Sequence, residues 1–131
     1  MKGIVRKICV FLLALAPIMG ALSQSETISA IGQSLKNGST EQILPYCAET
    51  ITVSIIEEDE RQLSKAEAMK YLQEFFKKYP PKAFAAKHDG KSKNGDTFTI
   101  GEYKSEDGTV WRTYVVIRAN FVQEICIEED F

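Results

Sequence analysis

Histidine, cysteine and tryptophan are scarce in this 131-residue chain, which has one His, three Cys and one Trp. A single histidine with widely separated cysteines does not supply the ligands of a typical zinc site, so the sequence predicts no metal centre. There is also no glycine-rich phosphate loop, no serine nucleophile elbow and no internal repeat. We therefore expect neither a cofactor nor one of the common nucleotide-dependent or serine-hydrolase sites.

The first 23 residues differ in composition from the rest. Three basic residues precede residues 8–22, which are almost wholly apolar and carry no charge. This run is shorter than the roughly 20 apolar residues that a spanning helix needs, and Ala21 and Ser23 place small side chains at the −3 and −1 positions of a cleavage site. We predict a secretory signal peptide over residues 1–23, with an uncleaved membrane anchor as the alternative.

Cleavage near Ser23 makes the remaining domain more acidic. It removes Lys2, Arg6 and Lys7 from the 16 basic residues, which leaves 13 against 18 acidic residues, a net charge of −5 instead of −2. An acidic surface does not favour nucleic acid as a partner. We expect residues 24–131 to form a single periplasmic or secreted domain with one core and no membrane span.

Cys47 and Cys126 are the cysteines that remain after cleavage. An exported protein meets oxidising conditions, which permit a disulfide between them. Their separation matches no metal-binding motif, and two cysteines do not make a disulfide-rich scaffold. The pattern favours two independent, partly buried thiols, so we expect no disulfide.

Apolar residues at helical spacing predict three helices. The first covers residues 27–37 and ends at Gly38, which readily adopts a left-handed conformation. A short second helix, capped by Ser39 and limited by Pro45, is expected to end near Cys47. The third and longest begins at the Ser64–Glu67 capping box and runs to about residue 78, where Pro80 and Pro81 stop it.

Alternating apolar and polar residues predict five strands, and an additional short strand is expected near Gln62. The acidic run at residues 57–60 lacks the spaced oxygens and the glycine of a calcium loop, so we interpret it as a solvated loop. The element order α-α-β-α-β-β-β-β predicts an α+β fold, in which a mostly antiparallel sheet curls around the long helix. The predicted strands are residues 50–57, 82–89, 96–103, 109–118 and 121–128.

These elements resemble the nuclear transport factor 2-like superfamily, a cone-shaped fold that includes ketosteroid isomerase. The chain more closely resembles a bacterial exported family known as domain of unknown function 4783. The resemblance spans nearly the whole predicted domain, although a cysteine at positions 47 and 126 is not part of the family's pattern. It rests on Gly108 and on residues 64–68 (SKAEA), 75–76 (FF), 80–84 (PPKAF), 88–90 (HDG), 100–101 (IG), 112–114 (RTY) and 125–128 (ICIE).

The superfamily implies a cone whose interior holds a ligand, so we ask which residues face inward. Strand periodicity places His88 with Phe84, and Glu102 with Phe98, on the faces expected to point into the cone. With Trp111, the residues Phe84, His88 and Phe98 are our candidates for a pocket that takes a small apolar ligand. His88 and Glu102 are the candidate acid–base groups, because imidazole titrates near neutral pH and burial raises a carboxyl pKa. The alternatives are a structural histidine and a glutamate that reaches water at its strand end.

Arg112, Tyr114 and Arg118 share the less apolar face of the longest predicted strand. That face is expected to line the outside of the sheet, and Tyr103 is expected to extend it. Arginine and tyrosine are enriched in protein interfaces, so these four residues are our candidates for a homodimer contact through the sheet. A solvated sheet face that carries one aromatic side chain is the alternative.

The superfamily contains isomerases, dehydratases and cyclases as well as binding modules, and a fold does not decide between them. We expect an exported domain without catalysis, which binds a small molecule or another protein. One alternative is an acid–base isomerase or lyase of the ketosteroid isomerase kind that acts on a small apolar molecule. The other is a structural partner in an envelope assembly.

Overall fold

The computed structural model describes residues 24–56 and 59–129. The predicted signal peptide and part of the acidic run therefore lie outside the described residues. In chain order the elements are helix α1 (Gln24–Asn37), a 3₁₀ turn (Leu44–Tyr46), strands β1 (Cys47–Ile55) and β2 (Arg61–Ser64), helix α2 (Lys65–Lys78), and strands β3 (Pro81–Lys91), β4 (Thr97–Ser105), β5 (Val110–Arg118) and β6 (Phe121–Glu129).

Helix α1 ends where the sequence predicts. Gly38 adopts φ +67°, and the Ser39 N–H donates to the Ser34 carbonyl over 3.1 Å, the long bond of a Schellman motif. The second predicted helix is only the 3₁₀ turn, and its cap position, Ile43, makes no side-chain capping bond. The prediction that Ser39 caps this helix is wrong, because Ser39 belongs to the end of α1.

Helix α2 begins at the predicted capping box. The Glu67 N–H donates to Ser64 Oγ over 3.2 Å, which satisfies one of the free amides at the helix start. The buried stripe of α2 consists of Ala68, Met69, Leu72, Phe75 and Phe76.

The six strands form one sheet in the order β2-β1-β6-β5-β4-β3. All neighbours are antiparallel except β1 and β6, which are parallel. The predicted extra strand near Gln62 is β2. Ala119 (φ +53°) and Asn120 (φ +69°) form the tight link between β5 and β6. The α+β fold with a mostly antiparallel, curved sheet is confirmed.

Both helices pack on one face of the sheet, which we call the inner face. The ring of Phe75 on α2 lies 5.3 Å from both Tyr103 and Trp111, centroid to centroid, and Tyr79 lies 4.7 Å from Trp111. The buried Tyr103 hydroxyl donates to the Tyr79 carbonyl, which ties β4 to the end of α2. This aromatic cluster packs α2 against β4 and β5.

Candidate functional site on the outer face of the sheet

A bulge in β3 decides where His88 lies. Ala86 pairs with Gly101 and His88 pairs with Ile100, so Lys87 is an extra residue with no partner of its own. The extra residue reverses the alternation of side chains along the strand. Phe84 lies on the inner face as predicted, but His88 is exposed on the outer face. The prediction that His88 points into the cone is therefore wrong.

The facing predicted for β4 is also wrong. Thr97, Thr99, Gly101, Tyr103 and Ser105 are buried, whereas Phe98, Ile100 and Glu102 are only partly buried and alternate with them. Tyr103 is fully buried in the core, so it does not extend the outer face. Phe98 and Glu102 lie on that outer face, although the sequence predicted that they point into the cone.

Three aromatic rings form a row across the outer face. The His88 and Phe98 ring centroids are 5.8 Å apart, and those of Phe98 and Tyr114 are 5.9 Å apart. Phe98 also packs over Gly90, since a Cβ at Gly90 would lie 2.7 Å from Phe98 Cζ. Ile100 pairs with Tyr114 and Val116 pairs with Phe98 in the strand register. We call His88, Phe98, Ile100, Tyr114 and Val116 the outer-face patch.

Three ion pairs among the described residues surround the outer-face patch. Arg118 donates from Nε and Nη2 to the two carboxylate oxygens of Asp96 over 2.9 and 2.8 Å. Hydrogen bonding to Arg118 lowers the pKa of Asp96 below its ordinary value. Two looser pairs are Arg112 with Glu128 at 3.6 Å, and Lys87 with Glu102 at 3.7 Å.

Two shallow grooves meet at Arg118. One, of about 360 Å³, is lined by side chains that include Thr52, Gln62 and Glu124, and the other, of about 220 Å³, runs past Phe98 and Tyr114. Partial burial raises the pKa of Glu124, the nearby carboxylate of Glu60 raises it further, and Arg118 lowers it. The first of these grooves, which we call the polar groove, therefore carries a carboxyl group whose charged form is disfavoured.

The residues predicted to form a pocket are not brought together. Phe84 and Trp111 lie on the inner face, where Trp111 belongs to the aromatic cluster, while His88 and Phe98 lie on the other side of the sheet. Glu102 pairs with Lys87 and lies opposite Arg112, not beside an inward histidine. The proposed acid–base pair of His88 and Glu102 thus lacks the apolar surroundings that its chemistry requires.

Arg112, Tyr114 and Arg118 lie on the outer face, as predicted from β5. The inner face of this strand carries Trp111, Val115 and Ile117, all buried. Whether the outer residues form an interface stays a prediction.

Cys47 and Cys126 are free thiols and lie on opposite faces of the sheet. Cys47 is buried in the core, and burial raises the pKa of its thiol to about 12. Cys126 is half-buried on the outer face, opposite Tyr114. The sheet separates the two side chains, so the backbone would have to rearrange before they could bond to each other.

Sequence reasoning missed a cavity on the helix side of the sheet, between α2 and the end of β1. It measures about 270 Å³, and Tyr71, Lys78 and Tyr79 are among its lining residues. The only signal for it was that Tyr71 and Lys78 flank the buried stripe of α2. Within residues 24–56 and 59–129, no group of three or more His, Cys, Asp or Glu side chains is placed to hold a metal ion, and no helix is long and apolar enough to cross a membrane.

Comparison with known proteins places the chain in a family. The sequence pattern of a family described as a domain of unknown function, DUF4783, matches residues 28–128. No curated protein matches the chain. Two solved DUF4783 proteins are similar in structure. The one from Bacteroides ovatus ATCC 8483 has a TM-score of 0.70 and 22% identity over 78% of this chain and 94% of that one. The one from Bacteroides fragilis YCH46 has a TM-score of 0.70 and 20% identity over 77% and 96%.

More distant structural similarity is limited to the fold. A putative ketosteroid isomerase from Kribbella flavida DSM 17836 has a TM-score of 0.58 and 12% identity over 82% of this chain and 78% of that one. At these identities the structural likeness shows the fold alone. The chain is a member of the DUF4783 family with the nuclear transport factor 2-like fold.

Proposed function

We propose that this protein is an exported interaction domain without catalysis, and that its outer-face patch binds a second copy of the chain. The observation that carries the proposal is the row of His88, Phe98 and Tyr114, with ring centroids less than 6 Å apart. Aromatic side chains on a rigid sheet supply large contact area at low cost in conformational entropy. A partly exposed apolar row with a polar rim is typical of a protein interface.

The charge pattern around the patch supports a second copy as the partner. Arg112, Arg118 and Lys87 alternate with Glu128, Asp96 and Glu102 on the same face. A two-fold axis brings each element of such a surface against another part of the same surface, so positive groups can meet negative ones. The face is locally balanced although the predicted domain is acidic, so the net charge of the domain does not oppose contact there.

Light scattering of residues 24–131 at several concentrations tests the dimer. We expect a mass twice that of the monomer, and we expect Tyr114→Glu to weaken association at least tenfold by placing two carboxylates in the apolar contact. Leu44→Glu is the matched control, because Leu44 is 39% exposed and Tyr114 is 37% exposed, and Leu44 lies in the 3₁₀ turn instead of the sheet. A monomeric mass throughout, or equal effects of the two substitutions, would overturn the proposal.

Export is tested separately by expressing the full chain and sequencing the N-terminus of the exported product. The basic start, the uncharged residues 8–22 and the small side chains at Ala21 and Ser23 support cleavage before Gln24. A product that stays in the membrane with residue 1 intact would favour an anchor instead.

A further inference from the structure

A cavity on the helix side of the sheet, away from the outer-face patch, has the features of a small-molecule site. Its volume is about 270 Å³, and its apolar walls are formed by Ile55, Ile56, Tyr71, Phe75 and Tyr79. We call it the α2 cavity. Concave, mostly apolar spaces with a few polar groups are where proteins bind small ligands, and this volume suits a compound with one or two rings.

The aromatic walls are held in place by their neighbours. Phe75 lies 5.5 Å from Tyr79, and Tyr79 packs against Trp111 at 4.7 Å, so two walls belong to the aromatic cluster of the core. The Arg61 guanidinium lies over the ring of Tyr71, 4.7 Å from its centroid. Rings fixed in this way accept an aromatic ligand with little loss of side-chain entropy.

Ile56, which lines the α2 cavity, has a strained backbone conformation. It adopts φ +56°, a left-handed conformation that is unusual for a β-branched residue, and its N–H donates to the Ile127 carbonyl over 2.8 Å. Backbone strain of this kind is concentrated at functional sites in proteins. Here it turns the chain at the end of β1, where the Ile56 side chain lines the α2 cavity.

The polar groups of the α2 cavity carry opposite charges. Glu74 and Lys78 both line it, and they are exposed and one helical turn apart on α2. Lys78 Nζ lies 5.7 Å from the Tyr79 ring centroid. Among the described residues neither side chain has an ion-pair partner within 4.0 Å, so neither charge is already neutralised by a neighbour.

We propose that the α2 cavity binds a small aromatic molecule that carries both an ammonium and a carboxylate group, as a free aromatic amino acid does. The ring would pack among Tyr71, Phe75 and Tyr79, the carboxylate would meet Lys78, and the ammonium would meet Glu74. A ligand with one charge would be attracted by one of the two side chains and repelled by the other. Both charges stay at the exposed rim, so little desolvation opposes binding.

Three probes that share an indole ring test the proposal: L-tryptophan, indole-3-propionate and tryptamine. Backbone amide shifts in ¹⁵N-labelled residues 24–131 report where each binds. We expect shifts at Tyr71, Phe75 and Lys78 with a dissociation constant for tryptophan of about 1 mM, the affinity typical of so small a ligand. The two singly charged probes should bind roughly fivefold more weakly, as expected for loss of one exposed ion pair.

Matched variants assign the two charges. Lys78→Gln should weaken tryptophan binding about fivefold and strengthen tryptamine binding slightly, because it removes the charge that repels the tryptamine ammonium. Glu74→Gln should likewise weaken tryptophan binding about fivefold and strengthen binding of indole-3-propionate slightly. Lys77→Gln is the control, because Lys77 is also exposed near the end of α2 but does not line the cavity. Three probes with equal affinity, shifts confined to the outer face, or equal effects of the two lysine variants would each overturn the proposal.

Discussion

The ring of Phe84 packs directly over the backbone of Gly101. A Cβ on Gly101 would lie 2.7 Å from Phe84 Cε1 and 2.9 Å from the Ala85 carbonyl oxygen, closer than real Cβ atoms approach other heavy atoms. The same ring reaches α1, where a Cβ on Gly32 would lie 4.0 Å from Phe84 Cε2. Phe84 thus joins the edge strand, its neighbour and the first helix, and it does so only because position 101 has no side chain.

Gly101→Ala should therefore destabilise the protein by about 1–3 kcal/mol, the usual cost of overpacking. Gly32→Ala is the matched control and should stabilise α1 by about 0.5–1 kcal/mol, because its Cβ makes only ordinary contacts and alanine favours a helix. Urea unfolding followed by the fluorescence of the single, buried Trp111 measures both. A Gly101→Ala variant as stable as the parent would contradict the close packing of Phe84.

The sequence predicts the elements of this fold better than the facing of its strands. In β5 one set of alternating residues, with Trp111, Val115 and Ile117, is clearly the more apolar, and it is buried as predicted. In β4 the two sets are less distinct, and the set that contains Phe98 lies outside. Alternation alone identifies the two faces of a strand but does not say which one is buried. The space that Gly101 leaves for Phe84 depends on packing between two strands, and the periodicity of a single strand cannot predict it.

The position of His88 depends on one extra residue. Lys87 has no partner across the strand pair, so its deletion should restore regular alternation and leave Ala86 opposite Gly101 and His88 opposite Ile100. We expect the deletion to cost less than about 1 kcal/mol, mostly through loss of the exposed ion pair with Glu102. Backbone contacts between β3 and β4 measured by nuclear Overhauser effects should be unchanged.

Deletion of Gly90 is the control for that experiment. It brings Lys91 opposite Phe98, where a Cβ would lie 2.7 Å from Phe98 Cζ, so this variant should lose much more stability. If the Lys87 deletion were the more damaging of the two, the bulge would not be the feature that sets the register.

Asp96→Asn should destabilise the protein at neutral pH and have a diminishing effect in acid. The folded-state pKa of Asp96 lies below its ordinary value of 3.8 because Arg118 binds the carboxylate. The stabilisation is therefore complete above the ordinary value and is lost as the pH falls through the folded-state pKa. Unfolding of parent and variant between pH 2 and 7 should converge at the acidic end, and a difference that persists there would show that the ion pair is not its source.

Glu124→Gln should have the opposite effect on stability at neutral pH. Partial burial and the charge of Glu60 raise the folded-state pKa of Glu124 above its ordinary value of 4.5, so the contribution of its protonated form to stability is present below that value and is lost as the pH rises through the folded-state pKa. The variant, which cannot ionise, should be the more stable protein at pH 7 and should match the parent near pH 4.

Glu60→Gln tests the source of that effect. The substitution removes the neighbouring charge but leaves Glu124 partly buried. It should therefore recover part of the stability at pH 7, and stability should be lost over a lower pH range because the folded-state pKa of Glu124 falls. If Glu124→Gln were instead destabilising at pH 7, attraction between Glu124 and Arg118 would outweigh burial, and the polar groove would be stabilised by its charges.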